Sequence, residues 1–301
     1  MPALTLILVA PNVFANNRLS MKLLSTDAVS GLVGHMSDEA MKAGVVLGDV
    51  FEDPVKRKSS RLEHSAFQHA HAVSAFNYYG VRFGQAMVGW AEVTGRAMLP
   101  KIYPWGGFPP DSTVVDVGGG NGHATLELLK AFPALKVIVQ DTAAVAIQGK
   151  EYWEKEYPSA LEEQRVDFVG FDFLTEAPVA GGAVYYLRHV LHDWPDDDCV
   201  KILKNVRKAV GPKSKLLINE FVPQYIVRGG FASNTQAPAP LLPNYGAGNK
   251  RLYQQDMNMM IQFNSKERTL EEFIKLGEAS GFRFEKLWDG GEAGIIEFAP
   301  A

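Results

Sequence analysis

The chain of 301 residues contains a single cysteine, Cys199. One thiol excludes a disulfide framework and a cysteine-ligated zinc centre, and it suits a reducing compartment. Positive charge is also in short supply: 30 Lys and Arg stand against 34 Asp and Glu, a formal net charge of −4. Nothing would neutralise a phosphate backbone, so nucleic acid is not an expected partner. No apolar run is long enough to cross a bilayer. Residues 3–10 are apolar but far too short, and the first basic residue is Arg18, so the positive start of a secretory leader is missing. We read this segment as a buried helix or strand, and the protein as cytosolic. What remains is a chain 47% hydrophobic and 21% charged. That is a globular balance, which rules out intrinsic disorder, and the length allows two domains.

The first hundred residues read as helical. Ser37, Asp38 and Glu39 resemble a helix start ahead of apolar Met41, Val45 and Val46. Over 65–91, Phe67, Phe76, Tyr79, Phe83, Met87 and Trp90 recur at threes and fours, the spacing of one helical stretch. Residues 100–110 hold four prolines and two glycines. No regular element is expected there, and the segment marks a boundary between a helical region, 1–100, and a second domain, 101–301. Beyond it, strands at 113–117, 136–140, 165–169, 183–187 and 215–222 alternate with helices at 124–132, 143–157 and 196–210. A last helix at 269–280 precedes strands at 282–288 and 294–298. Alternation argues for an α/β fold whose parallel sheet is covered on both faces. The closing pair has room only for a hairpin, so one strand is antiparallel. Residues 228–255, rich in Pro, Gly, Asn and Ala, are expected to be disordered or a mobile cover.

The strongest local signal is Asp116-Val117-Gly118-Gly119-Gly120-Asn121-Gly122, a strand running into a glycine turn that opens a helix. Glycines there let a ligand approach the backbone closely. The dinucleotide fingerprint G-x-G-x-x-G fails in both registers, because the third position falls on His123 or Thr125. There is no P-loop either. Acids close the next two strands. Asp141 is placed to accept from ribose hydroxyls, and Asp172, beside Phe173, to accept from an adenine amine while the ring packs on the base. The pattern suits a nucleoside carrying no pyrophosphate.

His192 follows the fourth strand, where a parallel sheet opens its ligand crevice. An acid adjoins it, Asp193, and two glutamates can converge on it: Glu220 at the end of the fifth strand and Glu267 before the last helix. No metal site is expected, since His64, His69 and His71 lack an i,i+4 pair or a carboxylate partner.

The segments VVDVGGGNGH, RHVLHDW, INEFV and NSKERTLEEF, in this order, resemble the S-adenosylmethionine-dependent O-methyltransferases of the caffeic-acid and flavonoid type, above all their fungal members. The resemblance covers about 13–298. It implies a class I methyltransferase domain, with a Rossmann-like sheet, behind a smaller helical, winged-helix-like region that supplies acceptor walls and a dimer interface. Carried over, Gly118, Gly120, Asp141, Asp172 and Phe173 hold the cofactor S-adenosylmethionine, with Arg188 where the family has a lysine. His192 matches the general base, and Glu220 and Glu267 its supporting acids. Phe83, Met87, Met260 and Asn264 fall where the family lines its acceptor pocket. The implied acceptor is a small aromatic molecule with a phenolic hydroxyl. The front departs from the pattern: matching begins near Val13, so the winged-helix unit is expected to be a stub, through natural truncation or a mispredicted start. This weighs against the family's homodimer. Two rival readings are a cofactor-binding protein that has lost catalysis and a nicotinamide-dependent oxidoreductase. The failed fingerprint and the closing hairpin disfavour the second.

A phenol has a pKa of ~10 and a histidine of ~6.5, so proton transfer between them in water is uphill by about 5 kcal/mol. Carboxylates on the imidazole narrow that gap.

Overall fold

The computed structural model describes residues 6–78, 80–94, 98–228 and 236–301. The chain opens on an antiparallel hairpin of β1 (Leu6–Ala10) and β2 (Val13–Asn16). The apolar opening is thus a strand, but not a buried one: Leu8 is 64% and Phe14 61% exposed. Nothing among the described residues covers the hairpin's apolar side chains.

The helical layer that follows differs from the expected boundaries. Helix α1 (Ala28–Gly34) starts at Asp27, whose carboxylate accepts from Val29 N–H. It continues through a π-turn, His35–Ala40, into Met41–Val45. Ser37, Asp38 and Glu39 therefore lie mid-run, and Met41 and Val45 face outward while Ala40 and Ala43 are buried. The stretch over 65–91 is three helices, Ala66–His71, Ala75–Tyr78 and α2 (Val81–Val93). The first ends at Ala72 in the left-handed region, φ +58°. Tyr79 lies outside the described residues.

Residues 100–110 form two short turns of helix, Leu99–Ile102 and Trp105–Gly107, rather than an irregular strap. Trp105 is 1% exposed, and its indole donates to Leu99 O at 3.0 Å. This segment is packed against the sheet, since the Trp105 ring meets Tyr186 edge-on.

The sheet has seven strands: β3 (Thr113–Val117), β4 (Lys136–Asp141), β5 (Val166–Gly170), β6 (Val184–Arg188), β7 (Lys215–Phe221), β8 (Phe282–Trp288) and β9 (Ala293–Pro300). Their order is β5-β4-β3-β6-β7-β9-β8. All run parallel except β9, which is antiparallel to both β7 and β8. Strands covered on both faces need near-continuous apolar sequence, and Val114, Val115, Val117, Val184, Tyr185, Tyr186 and Leu187 are all within 1% of full burial. The two-residue period divides them between two cores. Val115, Val117, Tyr185 and Leu187 pack with α5 (Asp196–Ala209) and α7 (Leu270–Ala279). Val114, Tyr186 and Leu217 pack with α3 (His123–Ala131), Trp105 and Trp153 of α4 (Ala143–Glu156).

Residues 228–255 are not a uniform cover. Within the described part Ala237 and Asn244 are buried, and α6 (Lys250–Phe263) begins inside the segment; residues 229–235 lie outside the description. Met259 and Phe263 of α6 share a small core with Ala43, Phe67 and Ala75 of the helical layer. No helix among the described residues is long and apolar enough to cross a membrane.

Chain order reverses between β3, which leads outward to β4 and β5, and β6, which leads to β7. A crevice opens at the carboxyl ends of strands flanking such a point, and the two segments singled out from the sequence leave the sheet there.

Candidate active site

The glycine turn leaves β3 with Gly118, Gly120 and Gly122 all at positive φ. At Gly118 a Cβ would come within 2.8 Å of Val190 and 3.3 Å of the Phe173 ring. The turn therefore lies directly against both Phe173 and the loop that carries His192. Asp141, at the end of β4, accepts from Gly120 N–H at 2.9 Å and from Thr142 N–H at 2.8 Å. Each oxygen keeps a further lone pair for a ligand. Burial raises its pKa against these two hydrogen bonds. Asp116 lies beneath the turn, accepting from Thr125 Oγ1 at 2.7 Å; burial pushes it up to about 7. Asp172 is exposed and caps its own turn, taking Leu174 N–H and Thr175 Oγ1. Arg188 reaches His123 Nε2 at 3.3 Å, and that ring contacts Asn121 through Nδ1. Turn and Arg188 are thereby linked.

The loop after β6 is built around a carboxylate. His189 is left-handed, φ +51°, and Val190 right-handed. That succession aims consecutive N–H groups at one anion. The anion is Glu220, whose Oε1 accepts from Val190 N and Leu191 N at 3.0 Å each. Its Oε2 lies 3.3 Å from His189 Nδ1 and 3.6 Å from His192 Nδ1. Burial would raise the Glu220 pKa, but the two imidazoles and the Val190 N–H hold it below the usual range.

His192 is 5% exposed. Its Nδ1 meets Glu267 Oε1 at 2.8 Å, and its Nε2 lies 3.5 Å from Asp193. Burial works against a charged ring, yet Glu220, Glu267 and Asp193 together outweigh it and lift His192 to about 10. Burial drives the neighbouring His189 the other way, to about 4, assisted by the Arg188 charge. The two rings stack at 5.2 Å. One imidazole is charged and the other neutral, at three residues' separation. Burial also raises Glu267, so the His192–Glu267 pair holds a proton tightly.

A model of the O-methyltransferase domain matches residues 49–283. The 3-O-methyltransferase 2 of Phanerochaete chrysosporium is 46% identical over 299 residues, which is 97% of this chain and 67% of that protein. The chain belongs to the O-methyltransferase family. It spans about two thirds of the length of the curated relatives it matches. Among solved structures, the mitomycin 7-O-methyltransferase aligns with a TM-score of 0.73 at 25% identity, over 96% of this chain and 77% of that one. Human N-acetylserotonin methyltransferase, crystallised with S-adenosylmethionine, aligns at 0.72 and 22% identity, over 96% and 76%. The expected class I methyltransferase fold is the observed one.

The other expected site residues are more scattered. Phe83 meets His35 edge-on at 5.4 Å, and Asn264 donates to Ser59 O at 2.6 Å and to Arg61 O. Both thus take part in packing the helical layer. Met87 and Met260 are half-buried on α2 and α6. Three residues around His192 escaped sequence reasoning. Arg268 is 1% exposed and donates to Leu191 O, Trp194 O and Asp196, clamping the turn that carries His192. Its only signal was adjacency to Glu267. His189 gave none, and Phe76, which stacks on Trp194 at 4.9 Å, looked like ordinary helix core.

Proposed function

We propose that this chain transfers the methyl group of S-adenosylmethionine to the phenolic hydroxyl of a small aromatic molecule in the cytosol. The observation that carries the reading is His192 held between Glu267, Glu220 and Asp193 beside the glycine turn. Gly118, Gly120, Asp141, Asp172, Phe173 and Arg188 hold the cofactor. The fit rests on the turn itself: a Cβ at Gly120 would meet nothing within 4 Å, so the backbone there faces open space, and Asp141 keeps lone pairs for ribose hydroxyls. The bound cofactor supplies an electrophilic methyl with a neutral leaving group.

The chain's own task is then geometry and a base. Neutral His192 takes the phenolic proton as the oxygen gains the methyl. A base lifted to about 10 matches a phenol of ~10, which removes most of the ~5 kcal/mol gap that free histidine would face. Glu267 and Glu220 stabilise the imidazolium that forms. Residues 1–100 act as the acceptor-binding region, with Phe83 and Met87 along its walls, and 101–301 as the cofactor domain, from which Met260 and Asn264 at the end of α6 complete those walls. The exposed apolar hairpin β1–β2 supports a second copy of the chain as partner.

His192→Ala should lower turnover of labelled methyl over a panel of phenols by about 10²–10⁴. Calorimetric binding of S-adenosylhomocysteine should be retained. Turnover equal to the parent protein would reject the role.

A further inference from the structure

We propose that His189, His192 and Glu220, with Glu267 turned in as a fourth ligand, form a site for a divalent late transition metal ion such as Zn²⁺, and that its occupation switches the catalytic base off. No local pattern announces such a set, because its members come from a loop, a strand end and the approach to α7. Folding brings one ligand atom each of His189, His192 and Glu220 within 4.8 Å of one another, the one such group among the described residues. Four ligands at about 2.0–2.1 Å from a tetrahedral zinc lie roughly 3.3 Å apart. Glu220 Oε2 is 3.3 Å from His189 Nδ1 and 3.6 Å from His192 Nδ1, close to that spacing, and the two near-parallel rings turn to aim both Nδ1 atoms at one ion. Glu267 lies outside this group of three but next to it: Oε1 is 2.8 Å from His192 Nδ1 and Oε2 is buried with no hydrogen-bond partner, so the carboxylate is free to turn in as a fourth ligand.

Charge favours the same occupant. Two carboxylates offset a divalent ion, and two imidazoles select a borderline metal over Mg²⁺ or Ca²⁺, which prefer all-oxygen shells. Binding displaces the proton from His192 and ties its Nδ1 and Glu267 to the ion. The imidazole can then no longer collect a phenolic proton with Glu267 behind it. The site stands on this geometry; the loss of turnover rests on His192 being the base.

Purified full chain is titrated with Zn²⁺ against a chromogenic chelator, and separately with Co²⁺, whose visible absorption reports coordination number. One zinc per chain and a tetrahedral cobalt spectrum are expected. His189→Phe keeps a ring between His192 and Phe221 but removes the ligand atom; it should weaken zinc at least tenfold while S-adenosylhomocysteine still binds. Glu267→Gln should weaken it as well, and Mg²⁺ should not compete. No zinc uptake, an octahedral cobalt spectrum, or zinc held equally well by His189→Phe would overturn the site. Zinc bound in the parent protein with turnover intact would leave the site standing and overturn His192 as the base.

Discussion

The charge of His192 is set by the difference between what burial and what its neighbours do to it. Removing an imidazolium from water disfavours it, and three carboxylates more than restore it, to about 10. In the proposed role the active form is the neutral ring, which at pH 8 is then only about one molecule in a hundred. kcat/KM should therefore climb with pH through the alkaline range, tracking loss of that proton. Glu267→Gln tests the sign. The amide oxygen still accepts from Nδ1, but one of the charges that raises the pKa is gone. The rising limb should move to lower pH, and the plateau should fall because the imidazolium is less well stabilised. A limb that stays put, measured with one phenolic acceptor, would show that another group titrates. The three residues were legible from the sequence because each ends or adjoins an element at the crevice side of a parallel sheet. Their protonation was not, since it depends on burial and on sub-ångström approach.

At the scale of elements, the loop after β6 is fixed from two sides. Glu220 takes up its N–H groups, and Arg268 takes the carbonyls of Leu191 and Trp194 at 2.7 and 2.6 Å. A lysine has one charge point where arginine has a planar fork. Arg268→Lys should then cost about 2–4 kcal/mol in denaturant unfolding, from lost charged hydrogen bonds, and lower kcat more than cofactor affinity. Wild-type stability in the variant would show that the clamp is ornamental. The glycine turn gives a second case. At Gly122, φ is +71° and a Cβ would come within 2.8 Å of Trp153 Nε1 and 2.9 Å of Val139, in the second core. Gly122→Ala should destabilise by ~1–3 kcal/mol and weaken S-adenosylhomocysteine binding in calorimetry; retention of both would contradict the close packing. The turn was readable because glycine spacing reports backbone need directly. His189 was not, because a left-handed histidine leaves no mark in sequence.

At the scale of the molecule, the sheet could be read almost strand by strand, since burial on both faces demands apolar runs such as Thr113–Val117 and Val184–Arg188. The helical layer could not. The buried face of helix α6 mixes Leu252, Met259 and Phe263 with Gln255 and Gln262 and packs on helices some two hundred positions earlier, so its apolar spacing alone does not announce it. Its meeting point with the rest is aromatic: Phe76 stacks on Trp194 at 4.9 Å and touches Phe263 at 5.0 Å, and Trp194 in turn meets Phe173 edge-on at 5.7 Å. One chain of rings thus runs from the helical layer through the His192 loop to Phe173 beside the glycine turn. Aromatic contacts of this kind add about 0.5–1.5 kcal/mol each beyond burial. Since Phe76 is 37% exposed, Phe76→Ala should cost roughly 1–3 kcal/mol. The loss should be local. Hydrogen exchange should quicken over 28–93 and 250–263 while β3, β6 and β7 keep their protection. The KM for the acceptor should rise about tenfold, a loss of ~1.4 kcal/mol, with S-adenosylhomocysteine affinity held. If exchange quickens evenly across the sheet, or cofactor affinity falls in step with acceptor KM, the helical layer is not a separate acceptor-binding unit but part of one cooperative core.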